Sequence, residues 1–324
     1  MSNDYILELR NLKKYFPLTK SLLSRNTVYN RAVDGITLSI KTGEIFGLVG
    51  ESGCGKTTLG RLIVKLEEPT SGSIIFMKKD VTKAKGKLLK WFRRKAQMIF
   101  QNPFNSFDPR LTITQSLAEP LNVIGIKSQS EIFERSAKML EKVGLHPPEE
   151  FLNRYPHELS GGQLQRASIA RTLLLESNFV VADEPTSMLD ASLRAGILKL
   201  LKKLRDESKI TFMFITHDLA AANYITDRIA VMYLGKIVEI GLTDNIMSRP
   251  FHPYTRALMS SILPAEPLSE EPSIEIKGEP KPAIDPKGCR FKDRCPLANK
   301  KCWKAEPELI EIEKNHYVAC FQYE

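Results

Sequence analysis

The fold is decided by the stretch Gly50-Glu51-Ser52-Gly53-Cys54-Gly55-Lys56-Thr57-Thr58, which we term the phosphate loop. It matches the pattern G-x-x-x-x-G-K-S/T and stands between an apolar, strand-like run and residues that favour a helix. Its glycines let consecutive backbone N–H groups point at phosphate oxygens, and the helix adds the positive end of its dipole. We therefore predict that these nine residues bind a nucleotide. Lys56 is expected to bridge the β- and γ-phosphates, and the Thr57 hydroxyl to bind Mg²⁺.

The composition of the 324 residues, 42% hydrophobic and 26% charged, is that of a soluble globular protein with one main α/β body and an appendage. No apolar run approaches the ~20 residues that cross a bilayer. The first five residues lack the features of a signal peptide, so we expect a cytoplasmic chain. The net charge of +9 is spread along the sequence, which favours a solvated basic face over a nucleic-acid surface.

Carboxylates follow a second predicted strand. The strand that begins at Asn178 is apolar without alternation over 179–182, as in a parallel sheet, and ends at Asp183 and Glu184. Ligands bind at the carboxyl ends of such strands. We expect Asp183 to hold Mg²⁺ through water and Glu184 to polarise the water that attacks the γ-phosphate.

Three other positions join this set of candidates. The buried strand 209–216 ends before His217, and the short strand 97–100 ends before Gln101, which could reach Mg²⁺ or the attacking water. Adjacent aromatics at the N-terminal strand offer a ring for the base. Phe16 is preferred over Tyr15 there, and core packing is the alternative for both.

A helical insertion closes with Leu159 and the run Ser160-Gly161-Gly162-Gln163, after which the residues favour a helix. Ser160 is a good N-cap, but two glycines would weaken an ordinary helix start. They suit bare N–H groups that face an anion, namely a γ-phosphate presented by another subunit.

Together these motifs, in this order, resemble the ATP-binding cassette (ABC) ATPases over about residues 5–262. The resemblance implies an α/β P-loop NTPase (RecA-like) core with an antiparallel β subdomain and a helical insertion at about 108–172. It also implies two cassettes paired head to tail. The run Ser160–Gln163, which we term the signature run, then covers the nucleotide bound to the other cassette. By the same resemblance Glu184 is the catalytic carboxylate, His217 contacts the γ-phosphate, Asp190 couples the two sites, and Gln101 links hydrolysis to a transmembrane partner.

A finer resemblance is carried by residues 31–35, 101–110, 154–160 and 250–258, which look like the oligopeptide/dipeptide importer branch. It implies an ATPase at the cytoplasmic face of the membrane, with two permease subunits, a second ATPase of a different sequence, and an extracellular solute-binding protein. Importers of oligosaccharides or nickel chelates with the same machinery are the alternative. An ABC ATPase acting on nucleic acid or ribosomes is the rival of another class, although such proteins usually carry tandem cassettes or long coiled coils.

The C-terminal residues hold four of the five cysteines. We predict a nucleotide-binding domain at 1–240 and an extension at 241–324, with a Pro- and Glu-rich linker at 264–286 and a tail at 287–324. The tail carries Cys289, Cys295, Cys302 and Cys320, spaced more loosely than the paired cysteines of zinc ribbons. Thiolates in a cytoplasmic chain favour a metal centre over disulfides. The importer branch carries such a tail, which implies a 4Fe-4S cluster; Zn²⁺ and free thiols are the alternatives. Cys54 is not expected to be a ligand.

Overall fold

The computed structural model describes residues 4–18, 28–260, 278 and 282–324, so most of the predicted linker at 264–286 lies outside the described residues. In chain order the strands are β1 (Tyr5–Pro17), β2 (Tyr29–Lys41), β3 (Ile45–Val49), β4 (Ser71–Phe76), β5 (Lys79–Asp80), β6 (Ala96–Ile99), β7 (Phe179–Asp183), β8 (Thr211–Thr216), β9 (Arg228–Tyr233), β10 (Lys236–Leu242), β11 (Ile310–Glu313) and β12 (His316–Val318).

The helices are α1 (Lys56–Ile63), α2 (Gly86–Lys95), α3 (Ile113–Val123), α4 (Gln129–Lys142), α5 (Glu149–Leu152), α6 (Gly161–Leu173), α7 (Ala191–Ser208), α8 (Leu219–Ile225), α9 (Thr243–Ser248), α10 (Pro253–Ser260) and α11 (Lys300–Lys304). Two compact units contain these elements. The first comprises Met1–Ala84 with Phe214–Glu324, and the second comprises Lys85–Met213. Within the described ranges no helix is both long and apolar enough to span a bilayer.

An antiparallel sheet in the first unit has the strand order β2-β1-β4-β5. Strand β1 lies between β2 and β4, with Leu7 opposite Ile40 on one side and Phe76 on the other. Leu7 and Leu9 alternate with more exposed residues and are fully buried, as expected of a strand with one face on a core. This sheet is the predicted antiparallel β subdomain.

The first unit also contains the strands that carry the phosphate loop. Their order is β11-β12-β10-β9-β3, followed by the later residues of β8. All five residues of β3 are buried, in agreement with its unbroken apolar sequence, and β3 runs parallel to β9. Strands β9 and β10 form the predicted hairpin. The C-terminal tail extends this sheet, because β12 pairs with β10 and β11 pairs with β12.

The second unit combines a parallel strand pair with helices. Strands β6 and β7 pair in parallel, and the first residues of β8 follow β7 in the strand order. Side-chain caps begin the helices: Thr112 forms a capping box at α3, and Ser128 caps α4. The apolar faces of α3, α4 and α6 are buried, including Leu117, Leu140 and Leu164. The predicted end of the nucleotide-binding domain at residue 240 and of the helical insertion at residue 172 stay predictions.

Candidate functional site

The phosphate loop turns tightly on its glycines. Gly50 and Gly55 have φ angles of 154° and 105°, which L side chains rarely adopt. A Cβ atom on Gly50 would lie 2.2 Å from the carbonyl oxygen of Met232, and one on Gly55 would lie 2.1 Å from that of Ala32. Strands β9 and β2 therefore approach the loop so closely that only glycine fits at both positions.

The side chain of Lys56 lies inside this loop. Its Nζ donates hydrogen bonds to the carbonyl oxygens of Gly50 at 2.7 Å and Glu51 at 2.8 Å, and the residue is buried. Helix α1 begins after Gly55, and in the described part of the chain no side chain caps its first turn. A buried cation beside the uncapped N-terminus of a helix favours an anion, so the loop fits the phosphates of a nucleotide.

The remaining loop residues differ in their exposure. Ser52 and Gly53 are exposed, and Thr57 and Thr58 are half-buried in the first turn of α1. Cys54 is buried, and burial raises the pKa of its thiol, which keeps it neutral. It therefore behaves as a small packing residue of the loop.

The two aromatic candidates of β1 have different surroundings. The Tyr15 hydroxyl donates to the buried carboxylate of Asp34, and burial together with this contact raises the pKa of Tyr15 to about 12. Phe16 is half-buried, and the Lys14 ammonium lies 4.9 Å from its ring centroid. Since Tyr15 is held by Asp34, Phe16 is the better candidate to stack on a base.

His217 follows β8 in the first unit and is exposed. Its neighbour Asp218 accepts a hydrogen bond from the backbone N–H of Ala221 at 3.0 Å and so caps α8. The cap fixes the backbone immediately after His217, while the imidazole stays accessible at the carboxyl end of the strand.

The second unit brings together two of the predicted catalytic residues. Strand β7 ends at Asp183, which is 3% exposed, and Glu184 follows in a left-handed backbone conformation with φ of 45°. Gln101 Nε2 donates a hydrogen bond to Glu184 Oε2 at 2.9 Å. The amide therefore restrains the direction of a half-buried carboxylate at the end of the strand.

The signature run begins helix α6 within the same unit. Ser160 Oγ accepts from the Gln163 N–H at 3.3 Å, and Gln163 Oε1 accepts from the Ser160 N–H at 2.9 Å. The predicted cap is thus a complete capping box, in which the Gln163 side chain accepts the second hydrogen bond. Gly162 lies close to α7, because a Cβ there would lie 3.0 Å from the end of the Leu193 side chain.

Asp190 caps the neighbouring helix α7. Its Oδ1 accepts from the Leu193 N–H at 3.0 Å and from the Ser192 hydroxyl at 2.8 Å. Asp190 and Ser160 are both exposed, and each begins a helix of this unit. The two residues that the resemblance assigns to a neighbouring cassette are therefore available at the surface of this chain.

The four cysteines of the tail interact electrostatically with one another. Electrostatic interaction reaches from Cys289 to Cys302 and Cys320, and from Cys295 to Cys289 and Cys302. Burial raises the pKa of Cys289, Cys295 and Cys320 to about 11, so without a metal these thiols are neutral at pH 7. All four are free thiols.

Backbone N–H groups point at three of the sulfur atoms. Donors are Phe291 and Lys292 for Cys289, Leu297 for Cys295, and Gln322 for Cys320. Donors of this kind stabilise thiolates that bind a metal centre. Among the described residues, however, no three His, Cys, Asp or Glu side chains converge closely enough to hold a single metal ion.

His316 of the tail is engaged elsewhere. Its Nε2 lies 2.8 Å from Glu239 Oε1, and both side chains are fully buried. The carboxylate of Glu239 also accepts hydrogen bonds from the backbone N–H groups of Phe251 and His252. This contact joins β12, β10 and the segment before α10, so His316 has a structural role.

Two arginines of the tail make contacts that the sequence did not reveal. Arg290 forms a buried ion pair with Asp34, and Arg294 Nη1 lies 2.9 Å from Glu51 Oε2 in the phosphate loop. Their positions, directly after Cys289 and directly before Cys295, were the available signal. The tail is therefore attached to the elements that form the candidate nucleotide site.

Family models match two parts of the chain. The ABC transporter model covers residues 33–187, and the model for the C-terminal region of oligopeptide/dipeptide transporters covers residues 238–302. Similar proteins include the oligopeptide transport ATP-binding protein AppF of Bacillus subtilis, 44% identical over 99% of this chain and 98% of the relative. The dipeptide transport ATP-binding protein DppF of Haemophilus influenzae is 42% identical over 98% of this chain and 97% of the relative.

Solved structures give the same picture for the cassette. A dimeric post-hydrolysis state of the ATP-binding cassette MJ0796, bound to ADP and Pi, aligns with a TM-score of 0.64 and 30% identity. The alignment covers 73% of this chain and 98% of that one. CbiO1 of Clostridium perfringens, part of the ABC transporter complex cbiONQ, aligns with a TM-score of 0.64 and 28% identity, over 76% of this chain and 92% of that one. The predicted P-loop NTPase fold is confirmed.

Proposed function

Since this chain belongs to the ABC transporter ATPases with the oligopeptide/dipeptide-type C-terminal region, we propose that it hydrolyses Mg·ATP to drive the import of di- or oligopeptides. The phosphate loop carries this proposal: its glycines, the buried Lys56 ammonium and the uncapped start of α1 form a cradle for phosphates. Support for the peptide substrate comes from the relatives, whose names assign them to oligopeptide and dipeptide transport.

We assign the chemistry residue by residue. In the first unit Lys56 bridges the β- and γ-phosphates, Thr57 binds Mg²⁺, Phe16 stacks on the base and His217 contacts the γ-phosphate. In the second unit Asp183 holds Mg²⁺ through water, and Glu184, directed by Gln101, polarises the attacking water. The ATP and Mg²⁺ requirement follows from the family.

Peptide importers imply permease partners and a pair of ATPases, and two surfaces of the second unit support this. Ser160 and Asp190 are exposed at helix starts, where the signature run would cover the nucleotide of a second cassette of a different sequence. A groove of about 230 Å³ is lined by Gln101, Met188 and Phe104, and Phe104 is 50% exposed. An apolar groove beside Gln101 suits a helix of a permease subunit at the cytoplasmic face of the membrane.

The same proposal includes a 4Fe-4S cluster held by Cys289, Cys295, Cys302 and Cys320. The thiols influence one another electrostatically, and backbone N–H groups point at three of the sulfur atoms, which supports a shared centre. Zn²⁺ at the same four residues is the alternative. When bound, the cluster supplies an electron-accepting centre that also crosslinks the tail.

Purification of the tagged chain from gently solubilised membranes, followed by mass spectrometry, tests the transport role. Two polytopic subunits, a second ATPase and a solute-binding protein are expected, and the ligand of the binding protein names the solute. Phe104→Asp should release the polytopic subunits, whereas Phe133→Asp, at an exposed phenylalanine outside the groove, should retain them. Recovery of ribosomal proteins or nucleic acid without a membrane subunit would contradict the proposal.

A further inference from the structure

Glu51 contributes a carboxylate to the loop that is shaped for phosphates. Its side chain is 23% exposed, and its backbone carbonyl accepts the hydrogen bond from Lys56. A negative charge here repels the triphosphate that Lys56 attracts, and the repulsion is strong where solvent screening is weak. The loop therefore needs a partner for Glu51 that does not occupy the phosphate position.

Arg294 of the cysteine tail is that partner. Its Nη1 lies 2.9 Å from Glu51 Oε2 and 3.3 Å from the Tyr233 hydroxyl, and its side chain is only 11% exposed. The guanidinium also lies near the Tyr233 ring, 5.7 Å from the centroid. Tyr233 therefore orients the Arg294 guanidinium toward Glu51.

A cluster of aromatic rings holds the backbone of Glu51. The backbone N–H of Glu51 donates to the Tyr254 hydroxyl at 2.8 Å. The ring centroid of Tyr254 lies 4.6 Å from that of Tyr233 and 5.4 Å from that of Phe291. Cys289 and Cys295 pack against the same cluster. Side chain and backbone of Glu51 thus depend on the C-terminal extension.

We propose that Arg294 is a positioning residue for ATP binding: from the cysteine tail of the same chain it neutralises Glu51 and fixes the start of the phosphate loop. The tail is then part of the nucleotide site without contacting the nucleotide. A ligand that orders the backbone at Cys295 would also order Arg294, because the two residues are adjacent. This inference rests on the proposed role of the phosphate loop in ATP binding.

The test is a charge cycle on the purified full-length chain, with Mg·ATP affinity measured by a fluorescent nucleotide. Arg294→Gln leaves Glu51 uncompensated and should weaken ATP binding by about tenfold, as expected for a loss near 1.4 kcal/mol. Glu51→Gln removes the repulsion, so the double variant Glu51→Gln/Arg294→Gln should recover affinity to within about twofold of the parent. Arg294→Lys, which keeps the charge, should lie between Arg294→Gln and the parent.

Lys314→Gln is the matched control, since it removes one positive charge from the same tail at an exposed residue between β11 and β12. It should leave ATP affinity unchanged. Unaltered binding in Arg294→Gln, or failure of Glu51→Gln to restore it, overturns the inference, because a purely structural arginine would not be rescued by removing a carboxylate. Lys56→Ala distinguishes failure of this inference from failure of the proposed function. If the parent binds no ATP, or if Lys56→Ala binds ATP as well as the parent, the proposed function is wrong.

Discussion

Gln101 Nε2 and Glu184 Oε2 form a hydrogen bond of 2.9 Å, although the two residues are 83 positions apart in the sequence. The bond joins the end of β6 to the end of β7, two parallel neighbours in one sheet. It restrains the carboxylate that we assign as the base. We therefore expect the Gln101 amide to orient the Glu184 carboxylate for taking a proton from water.

Glu184→Gln should preserve Mg·ATP binding and reduce turnover by about 10²–10⁴-fold, the usual contribution of a general base. The change keeps the shape of the side chain but removes its ability to take a proton. Steady-state phosphate release and nucleotide affinity are the measurements. Gln101→Ala should cause a smaller loss, since the carboxylate remains but is no longer directed. Wild-type hydrolysis in Glu184→Gln would remove this residue from the chemistry.

Gly55→Ala should abolish nucleotide binding and lower the melting temperature, because the new Cβ would lie 2.1 Å from the carbonyl oxygen of Ala32. Gly53→Ala is the matched control in the same loop. Gly53 also has a positive φ, of 78°, but no atom lies within 4 Å of the added Cβ, so only a strain of about 1 kcal/mol is expected. Equal effects of the two substitutions would show that the contact with Ala32 is unimportant.

Serine at both Cys295 and Cys302 should remove iron and acid-labile sulfide from protein purified without oxygen. A cluster held by four thiolates loses half of its ligands in this variant. Cys54→Ser, at a buried cysteine outside the tail, should retain the full metal content. Equimolar zinc with no sulfide in the parent protein, or full iron retention in the double variant, would rule out the cluster.

Acidification should destabilise the fold through His252. Complete burial lowers the pKa of His252 to about 4, and its Nδ1 accepts a hydrogen bond from the Tyr254 N–H at 3.1 Å. The neutral ring stabilises the folded state fully above about pH 6.5, the unfolded value, and this contribution of about 3 kcal/mol is lost as the pH falls from 6.5 to 4. His252→Gln should flatten the dependence in urea unfolding between these pH values. An unchanged slope would mean that His252 protonates equally in both states.

Much of the fold follows from local sequence. The apolar runs of β3, β7 and β8 predict buried parallel strands, and the residues after each strand include the predicted loop, Glu184 and His217. The run Ile310-Glu311-Ile312-Glu313 alternates as an edge strand should, yet we did not predict β11 or its pairing with the sheet. The density of cysteines nearby drew the interpretation toward metal binding.

Contacts between distant residues left no such pattern. Asp34 with Arg290, and Glu239 with His316, are buried pairs of ordinary charged residues, and no period or spacing connects their positions. Tyr254 is present in a segment that we used only to recognise the importer branch, and its hydroxyl proves to hold the backbone of Glu51. Such roles become visible only when the chain is folded.

The contact between Glu51 and Arg294 spans 243 positions, so it also has a consequence for the order of events during synthesis. A ribosome releases the loop well before the arginine that completes it. A nascent chain that has not yet reached Arg294 therefore lacks the finished loop, however well its strands have formed. Full affinity for ATP should appear only after Arg294 has left the ribosome and has paired with Glu51.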